Sequence, residues 1–275
     1  TDVDFYENHA QRAGGGLCSR SVTATLTGVR FEGNEALTPD EGAYYEPAGG
    51  GMWSADDSLI MTDAQFTGNA AEGYGGGLYA VDRARQEGTT VRLFDVTFAD
   101  NEAGSGGGLF VDDSYYGDQV VGGPPSAQGA EVAGTDTVHQ GWHLRRVAFR
   151  GNRASDWHGG GMFVQSPYPL LENVVFSGNH AGRSGGGLFS SYSYPTLVSV
   201  TFSGNMATLR GGGLANQASA PALVNCIVWG NHAWREAEMS TDPSSSPLVK
   251  YSDVDVGHSG VYTGEENINA DPLFV

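Results

Sequence analysis

The sequence predicts an all-β protein, a single-stranded right-handed parallel β-helix (β-solenoid) of about 26 residues per turn and about nine to ten turns. Three observations predict it. A Phe-x-x-Asn-x-Ala unit returns at regular intervals along most of the chain, and a Gly-Gly-Gly-Leu/Met run follows nearly every copy. The stretches between them alternate apolar and other residues at period two, the mark of half-buried strands, and are divided by Gly, Asn and Pro turns.

The elements follow in order from the Asn. It stands at Asn8, Asn34, Asn69, Asn101, Asn152, Asn179, Asn205 and Asn231, each followed two places later by Ala. Three places before it are Phe5, Phe31, Phe66, Phe98, Phe149, Phe176, Phe202 and, in the last copy, Val228. Five places before stand Val3, Val29, Ala64, Val96, Val147, Val174, Val200 and Cys226; eight places before, from Leu26 onward, stands Leu or Met. The glycine runs end at Gly16, Gly51, Gly77, Gly108, Gly161, Gly187 and Gly213. One such unit cannot bury its apolar side, so the units must stack, with turns about 4.8 Å apart and the crossover preference setting a right hand. Stacked Asn side chains are expected to form a hydrogen-bonded ladder, the glycines a tight corner, and Phe, Val and Leu the interior. The whole chain, 1–275, reads as one domain: regular repeats over 1–233, with loops inserted at 37–47, 81–90 and 112–140, then irregular closing turns over 234–275.

Composition narrows the partners. With 42 Gly among 275 residues, helix is disfavoured. A formal charge of −18 with a single Lys, Lys250, argues against nucleic acid or an anionic membrane as partner, since both need a basic face. No apolar run reaches the roughly 20 residues of a membrane span. Thr1 already stands inside the pattern, so the chain reads as a processed or trimmed piece. Cys18 and Cys226 fall in the first and eighth turns, too far apart to bridge. The glycine run lacks the Lys-Ser/Thr of a phosphate-binding loop. His9, His180 and His232 follow ladder Asn residues in separate turns and read as surface variation.

The stretch FSGNHAGRSGGGLF (176–189) resembles the repeats of polymorphic outer-membrane proteins and the related β-helix repeats of bacterial surface proteins. The closing segment VKYSDVDVGHSGVYTGEENINADPLFV is similar to the last turns of such surface proteins. That resemblance implies a pectate-lyase-like superhelix, secretion to the cell surface, and a role in adhesion or surface structure.

Function is expected where the pattern breaks, because the scaffold residues are occupied with packing. The insertions at 81–90 and 112–140 leave the same corner of consecutive turns and should lie side by side. The longer one carries Asp112, Asp113, Tyr115, Tyr116 and Asp118, with Trp142 just beyond. Carboxylates near aromatic rings suit a Ca²⁺-assisted glycan site, the acids (Asp112, Asp113, Asp118) holding the hard cation and the rings stacking on sugar faces; a solvated acidic loop is the bland alternative. Just after each glycine run stand Trp53, Tyr79, Phe110, Phe163 and Phe189, a row that is a sugar platform or assembly surface if exposed and packing if covered.

The sequence is read as an extracellular or cell-surface adhesin or stalk binding a glycan or other surface ligand through its loops; the alternatives are a fibre subunit self-associating end to end and, after it, a polysaccharide lyase or hydrolase. A lyase needs a base and a group that neutralises a uronate, and a hydrolase needs paired carboxylates at a set separation. Neighbours such as Asp56 and Asp57 point to opposite faces of a strand. No catalytic residue is assigned, and Ca²⁺ is the one cofactor considered.

Overall fold

The computed structural model describes residues 1–37, 47–82, 90–113, 141–166, 168–256 and 264–274. Each turn is built from four short strands, which in the first turn are β1 (Asp4–Tyr6), β2 (His9–Ala10), β3 (Leu17–Arg20) and β4 (Thr23–Thr27). Every strand pairs in parallel with its counterpart one turn on: Phe5 lies opposite Phe31, Ala10 opposite Ala36, Leu17 opposite Met52 and Leu26 opposite Met61. Repetition gives four parallel sheets, numbered I to IV after β1 to β4, with nine, eight, eight and nine strands among the described residues. The fold is a parallel β-helix, and no helix occurs among the described residues.

Most corners turn on a residue in the left-handed region. Between sheets IV and I the place is taken by Asp2, Gly28, Asp63, Asp95, Arg146, Asn173, Ser199 and Asn225, all at positive φ. Between sheets I and II it is usually Gly, as at Gly178 (φ 64°), with Asp100 and Glu7 substituting. A Cβ at Gly178 would meet nothing within 4 Å, so the glycine is there for its backbone and not for space.

The interior is a set of columns. Phe5, Phe31, Phe66, Phe98, Phe149, Phe176 and Phe202 stack face to face with centroids 4.5 to 5.0 Å apart. From Phe31 onward these rings are fully buried, as are Leu93, Leu144, Leu171, Leu197 and Leu223 of sheet IV. Burying a Phe is worth about 1.5–3 kcal/mol, and offset ring pairs add to that, so the column is a major source of cohesion. Cys226 sits buried in the Val column, its thiol pushed up to about 11 by burial, whereas Cys18 is exposed on sheet III; both are free.

Beside the rings runs a column of amides. In the sixth turn Asn179 donates from Nδ2 to Asn205 Oδ1 at 2.9 Å and to the Phe149 carbonyl at 2.9 Å, while its backbone N–H also reaches Asn205 Oδ1 at 3.0 Å. The same arrangement links Asn34, Asn69, Asn101, Asn152, Asn179, Asn205 and Asn231, and Asn8 joins at the start. Each amide satisfies groups in the turn before and the turn after, so the buried polar column is fully paired.

The eighth turn departs from the rule. Glu236-Ala237-Glu238 occupies the register of Gly211-Gly212-Gly213, and the buried Glu238 carboxylate accepts from the Asn231 backbone at 3.0 Å and from Asn231 Nδ2 at 2.5 Å. Beyond it, among the described residues, sheets I and IV each gain one strand, Asp253–Val254 and Gly264–Glu265, and the last strands of sheets II and III are His232–Arg235 and Met239–Thr241.

Candidate binding corner

The corner between sheets III and IV shows how the chain makes room for a site. In the second turn it is tight. Asp56 takes the left-handed conformation (φ 55°) and the next residue, Asp57, turns inward and is buried. Asp57 accepts from the Ser54 hydroxyl at 2.7 Å, from the Ser19 hydroxyl, and from the Val22 N–H at 2.9 Å. The side chains of this acidic pair therefore go separate ways, Asp57 into the corner and Asp56 toward Arg20, 3.9 Å away.

In the third and fourth turns the corner opens. Residues 83–89 and 114–140 lie between the end of sheet III and the start of sheet IV, so both inserted stretches are rooted here on adjacent turns. At their bases Trp142 donates from Nε1 to Asp113 Oδ2 at 2.8 Å. Among the described residues Asp113 Oδ1 is buried without a hydrogen-bond partner. Burial pushes the Asp113 carboxyl up to about 7, against the Ser166 hydroxyl and the Trp142 indole, with the nearby Asp82 charge adding to the rise. Ser54, Asp57, Asp82, Asp113 and Trp142 line a cavity of about 40 Å³, room for a water molecule or two. Asp113 therefore keeps its proton to higher pH than an ordinary carboxyl, and in that form it can donate as well as accept.

The other residues singled out from sequence are distributed as follows. Asp112 lies on the outer side, where the Tyr79 hydroxyl donates to Oδ2 at 3.5 Å, and so does not share the corner with Asp113. Tyr115, Tyr116 and Asp118 lie outside the described residues. Among the described residues no three His, Cys, Asp or Glu side chains group in a way that would hold a metal ion.

The aromatic row is on the outer face of sheet III, yet Tyr79, Phe110 and Phe189 are buried, with Trp53 and Phe163 partly so. Tyr74 packs 4.8 Å from Phe110, His158 packs 4.1 Å from Phe189, and Phe110 stacks on Phe163 at 4.4 Å. Of the two readings open from sequence, the exposed platform does not apply to Tyr79 and Phe110, because neighbouring side chains lie over them.

Exposed rings do occur at the corner, on the two turns next to the insertions. Tyr168 and Tyr192 are about half exposed, and Tyr194 stacks on Tyr168 with centroids 5.7 Å apart. Pro169 and Pro195 fix the backbone just after them, preceding Leu170 and Thr196, which pair across sheet IV. Sequence reasoning passed over these tyrosines. The signal was present, a Tyr-Pro pair repeated at the 26-residue interval of the scaffold, at 168–169 and 194–195.

The family model for the Chlamydia polymorphic membrane protein repeat matches residues 63–81 and 173–191. Each matched stretch runs from the Phe strand through the Asn and the glycine run into sheet III, so the resemblance lies in the scaffold and not in the corner. No curated protein and no solved structure matches the chain. Among the described residues no helix is long and apolar enough to cross a membrane.

Proposed function

We propose that the chain is a rigid surface-displayed β-helix, an adhesion or structural protein of the cell exterior that binds a glycan at the corner between sheets III and IV. The repeats similar to those of polymorphic membrane proteins support a surface or structural role. One observation carries the binding part: insertions on two consecutive turns share a corner with the exposed tyrosines of the next two turns. Tyr168, about half exposed and stacked on Tyr194, offers an apolar face to a sugar, and Asp82 and Asp113 line the cavity at the same corner in the two preceding turns.

Binding of the full chain to a panel of neutral and charged glycans tests this, with a Tyr168→Ala/Tyr194→Ala variant and a deletion of 114–140 as comparisons. The expected result is glycan capture that falls about tenfold or more in either variant while the β-sheet circular dichroism is kept. Capture unchanged in both variants, or absent throughout the panel, would remove the binding part and leave a structural stalk.

A further inference from the structure

A second surface stands apart from that corner, on the bend between sheets II and III. Trp157, Arg183 and Leu209 stand two places before the glycine runs of the fifth, sixth and seventh turns, and backbone hydrogen bonds from Arg183 N–H to the Trp157 carbonyl and from Leu209 N–H to the Arg183 carbonyl align them on successive turns. Trp234, on the following strand, extends the line into the eighth turn. Trp157, Leu209 and Trp234 are 46%, 41% and 72% exposed, and Met206 beside them is 47% exposed. Large apolar side chains thus gather along one ridge parallel to the helix axis, where scattered single ones would need no explanation.

The ridge is also cationic on a strongly acidic chain. The Arg183 guanidinium lies 4.1 Å from the Trp157 ring centroid, and that of Arg235 lies 4.4 Å from the Trp234 centroid. Arg153 and Arg210 flank them but are already matched, to Glu102 at 3.4 Å and Glu236 at 3.9 Å. Among the described residues Arg183 and Arg235 pair with no carboxylate. Stacking on indole holds each guanidinium flat and leaves its edge donors free for a bidentate anion.

From this geometry we infer a binding site for an acidic polysaccharide, a chain of uronate or sulfated sugars lying along the ridge. Its anionic groups meet Arg183 and Arg235 in bidentate hydrogen bonds, and its sugars pack against the exposed indole surface of Trp157 and Trp234 that the guanidiniums leave uncovered. The scaffold supplies the match in length. Successive turns repeat at the 4.5 to 5.0 Å seen in the Phe column, close to the advance of one sugar in an extended polysaccharide, so sugars keep step with the turns and Arg183 and Arg235, two turns apart, meet every second sugar. An acidic protein partner would meet the same charges but has no reason to follow a one-turn period. The site goes beyond the tyrosine corner and shares no residue with it.

The test is binding of the full chain to immobilised polygalacturonate and dextran sulfate, with dextran as the uncharged control. Variants are Arg183→Gln/Arg235→Gln, Trp157→Ala/Trp234→Ala and the corner pair Tyr168→Ala/Tyr194→Ala. The expected result is polyanion binding that weakens with added salt, falls at least about tenfold in the Arg and Trp variants, and persists in the Tyr variant. Because the four ridge residues are exposed, thermal unfolding of the variants should stay close to the parent, separating lost binding from lost fold. No binding to either polyanion, equal binding in the ridge variants, or equal binding to dextran would overturn the proposal. So would light scattering that shows a dimer broken by the ridge variants in the absence of polyanion binding, since the occupant would then be a second copy of the chain.

Discussion

Gly211-Gly212-Gly213 and Glu236-Ala237-Glu238 occupy the same place in consecutive turns, yet one is all glycine and the other carries two carboxylates. The difference lies in what comes next. A Cβ on Gly187 would lie 2.6 Å from the Gly213 carbonyl oxygen and 2.9 Å from Phe202, both in the following turn. Past Glu238 the sequence has Gly257, not Asn, three residues after Val254, a position outside the described residues. The Glu238 side chain takes over as acceptor for Asn231. A glycine in this scaffold is therefore demanded by its neighbour one turn ahead.

That comparison can be broken or sharpened by substitution. Asn179→Ala removes the acceptor for Asn152 and the donor to the Phe149 carbonyl inside a closed column, and should cost about 3–5 kcal/mol in urea unfolding. Gly187→Ala forces the backbone of two turns apart and should cost about 2–3 kcal/mol. If Gly187→Ala proves neutral, the glycine run serves its own backbone alone and the account of the eighth turn fails. Glu238→Gln keeps one acceptor for Asn231 and loses the other, a smaller effect of about 1 kcal/mol near neutral pH.

The smallest expected effect is in pH. Burial raises the Glu238 carboxyl to about 7, opposed by its hydrogen bonds from Asn231, and raises Asp113 likewise. Each keeps its proton in the fold where the unfolded chain has lost it, so each lowers stability as pH rises from about 4.5 to 7. His158 works the other way: burial depresses it to about 4, so it lowers stability as pH falls from 6.5 toward 4. The informative quantity is thus a difference between proteins. The change in Tm from pH 5 to pH 8 should be more negative for the parent than for Glu238→Gln or Asp113→Asn, by a few degrees. Parallel Tm profiles would show that neither carboxyl is held protonated by the fold.

Much of the architecture was legible beforehand because in a solenoid the neighbour of a residue is its own copy one turn away. Phe176 stacks on Phe149 and Phe202, which the spacing already placed in one column. The corner was legible only in outline. The spacing put two insertions at one bend, but nothing in it tells that Asp112 and Asp113 diverge, one to Tyr79 outside and one to Trp142 within. Alternation is ambiguous beside a corner, where a single left-handed residue resets which face the next side chain takes. The aromatic row was ambiguous for a related reason: its cover, Tyr74 and His158, comes from the preceding bend and is absent from the strand pattern.

The sequence by itself determined the four-strand turn, its stacking, the interior columns and the glycine corner, since periodic spacing imposes periodic contacts. Only the tertiary structure decided the chemistry of the surface. It placed Arg183 over Trp157, left Tyr168 open while closing Phe110, and gave Asn231 a carboxylate in place of an amide. Those outcomes depend on side chains from different turns and different bends meeting in space, and burial and hydrogen-bond partners exist only once the turns are stacked.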